Sequence, residues 1–103
     1  MLKVSVFYPK DKDTKFDMSY YLDRHIPMVQ RLLGSYLKGV SVEEGISGVQ
    51  PGSSPSYVAM GHLLFDSLAD FQSSFGVHAQ PVVQDVPKYT NSEPIIQISE
   101  VKL

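Results

Sequence analysis

Hydrophobic and polar positions alternate between short apolar runs and longer periodic stretches along this chain. Leu2 to Tyr8 is rich in Val and aromatic residues and stops at Pro9 and the charged Lys10-Asp11-Lys12-Asp13, which predicts a strand and a turn. Asp17 is placed to cap a helix starting at Met18, in which Met18, Leu22, His25, Val29 and Leu32/Leu33 recur at spacings of three and four and form one apolar stripe. Gly34 is the expected stop. Pro27 lies inside this helix, removes a backbone hydrogen bond and crowds the carbonyl of Asp23, so a kink is expected beside His25. Tyr36 to Val42 reads as a second strand. Nine of the twelve residues from Gly45 to Ser56 are Gly, Pro or Ser, the composition of a connector or a mobile flap. Tyr57 to Asp66 is the clearest strand. Ser67 and Asp70 then form a capping box for a second helix with Leu68, Phe71 and Phe75 on its buried side and Gly76 at its end. Pro81 is expected to open a further short helix carrying Val82, Val83 and Val86, and Glu93 to Val101 reads as the last strand.

The order β-α-β-β-α-β is that of a ferredoxin-like α+β fold: a four-stranded antiparallel sheet with both helices on one face, in one domain spanning residues 1–103. Helices cover only one face of such a sheet, yet the third strand is apolar on both. Tyr57, Ala59, Gly61, Leu63 and Phe65 alternate with Val58, Met60, His62 and Leu64. A large uncovered apolar face marks an interface, and a second copy packed sheet to sheet is the simplest cover. A homodimer is therefore expected.

Composition narrows the chemistry. The chain of 103 residues is 43% hydrophobic and 19% charged with a net charge of −2, which fits a globular domain and gives no electrostatic case for nucleic acid or an anionic membrane. It has no cysteine, which excludes disulfides, thiol nucleophiles and thiolate metal sites. No run approaches the ~20 apolar residues of a membrane span, and the N-terminal run is too short for a signal peptide, so a cytoplasmic location is expected. No phosphate-binding loop or dinucleotide fingerprint occurs, and the three histidines are too dispersed for a metal motif. Catalysis, if any, would rest on His, Tyr and Asp acting on a bound organic molecule without a cofactor.

His25 leads the candidates. It occupies a position on the apolar stripe where Leu would be expected, so it points inward, beside the Pro27 kink. An imidazole passes protons in both directions near neutrality, which suits acid–base work; alternatively it is a neutral core histidine bonded to a carbonyl freed by the kink. Tyr21, four residues earlier, should flank it, with Tyr20 on another side of the helix. If Ala59 and Gly61 lie under the helices they leave room for a ligand, and His62 then faces the dimer interior, in a structural or interface role. His78 is expected near the end of the second helix, as a cap or a ligand contact. Asp85, Tyr89 and Thr90 form a polar cluster with either a turn-capping or a site role.

These residues resemble the EthD family, named for ethyl tert-butyl ether degradation, within the dimeric α/β-barrel superfamily. The resemblance is carried by Phe16-Asp17, Tyr20-Tyr21-Leu22, His25 and Pro27; by Gly61-His62-Leu63, Phe65-Asp66-Ser67 and Phe71; and by Asp85-Val86-Pro87 with Tyr89-Thr90. It implies a ferredoxin-like protomer whose sheet packs on that of a second copy. It also implies a role in degrading small organic compounds beside an oxygenase system. Distant members of the superfamily include cofactor-free monooxygenases, polyketide cyclases, lactone isomerases and haem-binding enzymes, so the fold names no single reaction. The expected ligand is a small hydrophobic, oxygen-bearing molecule. His25 and Tyr21 would be the catalytic pair, with His78, Tyr89, Asp85, His62, Ala59 and Gly61 around it. A carrier or a purely structural dimer is the alternative.

Overall fold

The computed structural model describes all residues from Met1 to Leu103. Four strands, β1 (Leu2–Pro9), β2 (Gly39–Glu44), β3 (Tyr57–Phe65) and β4 (Ile95–Glu100), form one antiparallel sheet in the order β2-β3-β1-β4. With two helices in the connections this is the ferredoxin-like α+β fold. Register places Val4, Val6 and Tyr8 of β1 opposite Leu63, Gly61 and Ala59 of β3, so these residues share the face beneath the helices. On the other face Ser5, Phe7, Met60, His62 and Leu64 neighbour one another. Tyr57 departs from its expected side: the pairing shifts between Tyr8 and Pro9, and its ring meets Phe7 at 5.1 Å.

The first helix begins at the Asp17 cap, whose carboxylate accepts from the Tyr20 N–H at 3.0 Å. It runs as α over Met18–Tyr20, as a π-helix over Tyr21–His25 and as α again over Ile26–Leu33. The disturbance expected at Pro27 thus falls on the turn before it, where the Ile26 N–H reaches back five residues to the Tyr21 carbonyl. Gly34, at φ +57°, ends the helix in a conformation that suits glycine. A 3-10 turn over Gly34–Tyr36 follows, so the second strand starts at Gly39 rather than Tyr36.

The second helix is one element, Leu68–Asp85, capped by Ser67. It runs through Gly76 and Pro81, contrary to the expected stop and restart. A helical Gly costs only about 1 kcal/mol against Ala, whereas Phe71, Phe75 and Val82 on one side of the helix all pack on the core and hold it together. Leu68 is turned out and 46% exposed, not buried as expected. A 3-10 turn over Val86–Lys88 leads to Tyr89, and the last strand is the shorter Ile95–Glu100.

Two clusters make the core. Val4, Val29, Leu33, Leu63 and Phe65 form an aliphatic one. Tyr8, Tyr21, Ala59 and Tyr89 form an aromatic one at the other end of the sheet. No helix is long and apolar enough to cross a membrane.

Candidate functional site

The site is built at the aromatic end, where the π-helical turn, the end of the second helix and β1 converge. His25, 4% exposed, closes the π-helical turn, and its ring stacks on Tyr21 at 5.4 Å with 14° between the planes. Its Nδ1 is 2.9 Å from Asp85 Oδ2, across 60 residues of sequence. Asp85 is the last residue of the second helix and is buried. Its other oxygen accepts from the Tyr20 hydroxyl at 2.8 Å and lies 3.8 Å from Lys88 Nζ. On the far side of the imidazole, Nε2 is 3.4 Å from the Tyr89 hydroxyl, which is 2.7 Å from the Tyr8 hydroxyl.

The electrostatics follow from these contacts. Burial would raise the Asp85 carboxyl, but the hydrogen bonds from His25 and Tyr20 and the nearby positive charge outweigh it and hold Asp85 below its ordinary value of 3.8. Burial depresses His25 below 6.5, and the bond to Asp85 only partly opposes that. At neutral pH the pair is therefore an aspartate accepting from the Nδ1–H of a neutral imidazole, with the Nε2 lone pair available as a base. Burial also pushes the hydroxyls of Tyr8, Tyr21 and Tyr89 far above the usual phenol range, so these rings stay protonated.

Beside this cluster lies a cavity of about 610 Å³. Its floor is the sheet face of Val4, Val6, Gly61, Leu63 and Ile96. Phe71, Phe75, Val82, Val83 and Val86 form one wall, and Tyr21, His25, Ile26 and Val29 the opposite one. Tyr8 also lines it, and Thr90, Asn91, Ser92 and Glu93 supply polar groups. No group of three or more His, Asp or Glu side chains is placed to hold a metal ion.

Of the residues singled out from sequence, His25, Tyr21, Asp85 and Tyr89 are brought together. Gly61 lines the cavity, but the room its missing Cβ leaves is filled by the Tyr21 hydroxyl, which a methyl group there would strike. Ala59 is fully buried in the aromatic cluster and does not reach the cavity. His78 sits in the middle of the second helix rather than near its end, and it too lies off the cavity.

His62 is on the opposite face of the sheet. Its Nδ1 is 2.8 Å from Ser5 Oγ, and its Nε2 is 3.0 Å from Glu43 Oε1. That oxygen is shielded from solvent and off the line of a hydrogen bond, so the contact is one of proximity rather than of a shared proton. Two residues not singled out for the site also belong to it. Tyr8 reads from sequence as an ordinary strand aromatic; the available signal was its place on the same β1 face as Val4 and Val6. Tyr20, expected on a different side of the helix from Tyr21, is brought by that direction to Asp85.

Comparison with known proteins gives this geometry a family. No curated protein matches the chain. An EthD-like protein from Ralstonia eutropha JMP134 is similar over 99% of this chain and 92% of its own, at 39% identity and a TM-score of 0.94. An ethyl tert-butyl ether degradation family protein from Bacillus halodurans C-125 covers 99% of each chain at 18% identity and a TM-score of 0.75. A dimeric protein of unknown function and ferredoxin-like fold from Bacteroides fragilis NCTC 9343 shares the fold at 12% identity and a TM-score of 0.54, over 97% of this chain and 95% of that one. The EthD domain model matches residues 10–93, and with that match the chain belongs to the EthD family.

Proposed function

We propose that this protein is a homodimer that binds a small, largely apolar, oxygen-bearing compound in the cavity and moves a proton on it with His25, without a cofactor. The observation that carries this reading is one imidazole in two settings: it lines an apolar cavity, and its Nδ1 is tied at 2.9 Å to a buried carboxylate. Such a pairing fixes the tautomer, aims the ring and stabilises the imidazolium formed when Nε2 takes a proton. Tyr21, stacked on the ring, keeps it in plane. Removing a proton from a weakly acidic position is the step shared by cyclisation, isomerisation and cofactor-free oxygenation, so the site suits a role in the breakdown of small organic compounds beside an oxygenase system.

The dimer reading is supported by the uncovered sheet face, where Phe7, Met60 and Leu64 surround Ser5 and His62. A chain with no cysteine needs no oxidising compartment to fold, which supports a cytoplasmic location.

Native mass spectrometry of freshly purified protein tests the ligand, and His25→Ala tests the chemistry. The expected outcome is a co-purifying compound whose conversion is lost in His25→Ala while fold and dimer survive. Loss of affinity with no conversion in either protein would make the chain a carrier. A cavity that takes up no compound would overturn the reading.

A further inference from the structure

A hydrogen-bond chain whose direction is set at one end is set throughout. Asp85, being ionised, accepts from His25 Nδ1–H, so the neutral ring presents Nε2 as a lone pair. The Tyr89 hydroxyl lies 3.4 Å from that lone pair and can only donate to it. Tyr89 has a single hydroxyl proton, so in its 2.7 Å bond with Tyr8 the donor is Tyr8. Tyr8 lines the cavity, and of the two lone pairs on its hydroxyl oxygen one is turned to the Tyr21 hydroxyl, which donates to it, and the other is left to accept with.

The geometry points to Tyr8 as the residue that meets the acidic proton of the bound compound, with Tyr89, His25 and Asp85 forming a one-way relay behind it. This rests on the proton-transfer reading above and extends it to a residue and a substrate class. The O–H bond of a weakly acidic hydroxyl, or the C–H bond next to a carbonyl, breaks and leaves its electron pair on the compound as a phenolate or enolate. The proton joins Tyr8 as the proton of Tyr8 passes to Tyr89 and that of Tyr89 passes to His25 Nε2. His25 ends as an imidazolium against Asp85. No tyrosinate forms at any stage, in keeping with the burial that keeps these phenols protonated. The rest of the compound is apolar, to match Val4, Val6, Leu63, Phe71 and Val82; no lysine or arginine lines the cavity to balance a carboxylate.

The groups facing His25 are Tyr21 on its own helix, Asp85 at the end of the second helix with Tyr20 and Lys88 on its far oxygen, and Tyr89 backed by Tyr8 of β1. Long-range 15N–1H spectra of the full chain with labelled histidine, recorded across pH for wild type, Tyr89→Phe and Tyr8→Phe, test the relay. In wild type the His25 signals should show the Nδ1–H tautomer, with Nε2 shifted by an accepted hydrogen bond. Tyr89→Phe should move Nε2 toward a free lone pair and raise the His25 midpoint, because the donor favouring the neutral ring is gone. Tyr8→Phe should move both in the same direction by less, since a Tyr89 hydroxyl that accepts nothing is a weaker donor.

An Nε2–H tautomer in wild type, a reading that needs no variant to fold, would overturn the relay. So would a Tyr8→Phe protein, folded by its His62 and His78 signals, in which the His25 signals and midpoint are unchanged. Either result leaves His25 free to act directly on the compound, whereas a cavity that binds nothing would remove the proposed function and leave the tautomer and coupling as they are.

Discussion

Replacing Asp85 by Asn removes one buried charge and little else. The amide is isosteric, its oxygen can still accept from His25 Nδ1–H, and its nitrogen can turn to the Tyr20 hydroxyl. What changes is the strength of the bond to His25, 2.9 Å long and at 5% and 10% exposure of the two side chains. A bond to a charged group contributes about 1.5–3 kcal/mol and a neutral one about 0.5–1.5. The carboxylate also carries a burial penalty that the amide escapes. The difference comes to about 1 kcal/mol of lost stability at neutral pH, or roughly 4–8 °C in melting temperature for a domain of this size.

The pH dependence has a definite sign. His25 in the folded chain lies below the 6.5 of the unfolded chain, so on acidification the unfolded state takes up the proton first, and stability falls as pH drops below about 6.5. The slope from this group is limited to one proton, about 1.4 kcal/mol per pH unit. In Asp85→Asn the charge and bond that supported protonation are weakened, so the His25 midpoint moves lower and the fall extends further into acid. Asp85 itself lies below 3.8, so its contribution is complete above that pH and is lost only as pH falls through its lower folded midpoint. Urea unfolding followed by circular dichroism between pH 4.5 and 8, at one protein concentration so that the proposed self-association is held constant, measures all of this for wild type, Asp85→Asn and His25→Gln. The reasoning is refuted if Asp85→Asn unfolds like wild type at pH 7.5, or if the acid slope of His25→Gln equals that of wild type.

Gly61→Ala drives a methyl group into the hydroxyl of the buried Tyr21 and should cost about 1–3 kcal/mol by thermal melt. Most of that should return in a Tyr21→Phe background, where the next ring atom is 3.7 Å away in ordinary contact. Pro81→Ala supplies an N–H for the Val77 carbonyl at an exposed helical position and should raise stability by about 1–3 kcal/mol in urea titration. Met60→Lys, on the open sheet face opposite Phe7 and Glu43, should leave the circular dichroism spectrum intact and shift light scattering at micromolar concentration from dimer to monomer; an unaltered dimer would rule out this face as the interface.

The parts of the fold that were legible in sequence are those governed by local periodicity. Strand alternation placed Ala59, Gly61, Leu63 and Phe65 on one face, and the three-and-four spacing turned His25 inward. Glycine and proline punctuate a sequence only where packing lets them: Gly34 does stop its helix at positive φ, while Gly76 and Pro81 are carried along by Phe71, Phe75 and Val82. The candidate site was half legible. His25 and Tyr21 lie one turn apart, so a helical pattern can pair them. The contacts of His25 with Asp85 and Tyr89, and of Tyr8 with Tyr89, cross 60 to 81 residues and depend on where the second helix ends, which a misplaced break at Gly76 concealed.

The π-helical turn at Tyr21–His25 has a consequence for how relatives should be compared. Such a turn accommodates one residue more than an α turn between the same end points. A relative with a plain α-helix here would be one residue shorter between its cap and its proline. An alignment would show this as a single gap in an otherwise unbroken helix. Residues on either side of such a gap turn relative to one another by about 100°, so the reach of the histidine to the aspartate across from it depends on that column. Family membership alone therefore does not establish this pair in a relative.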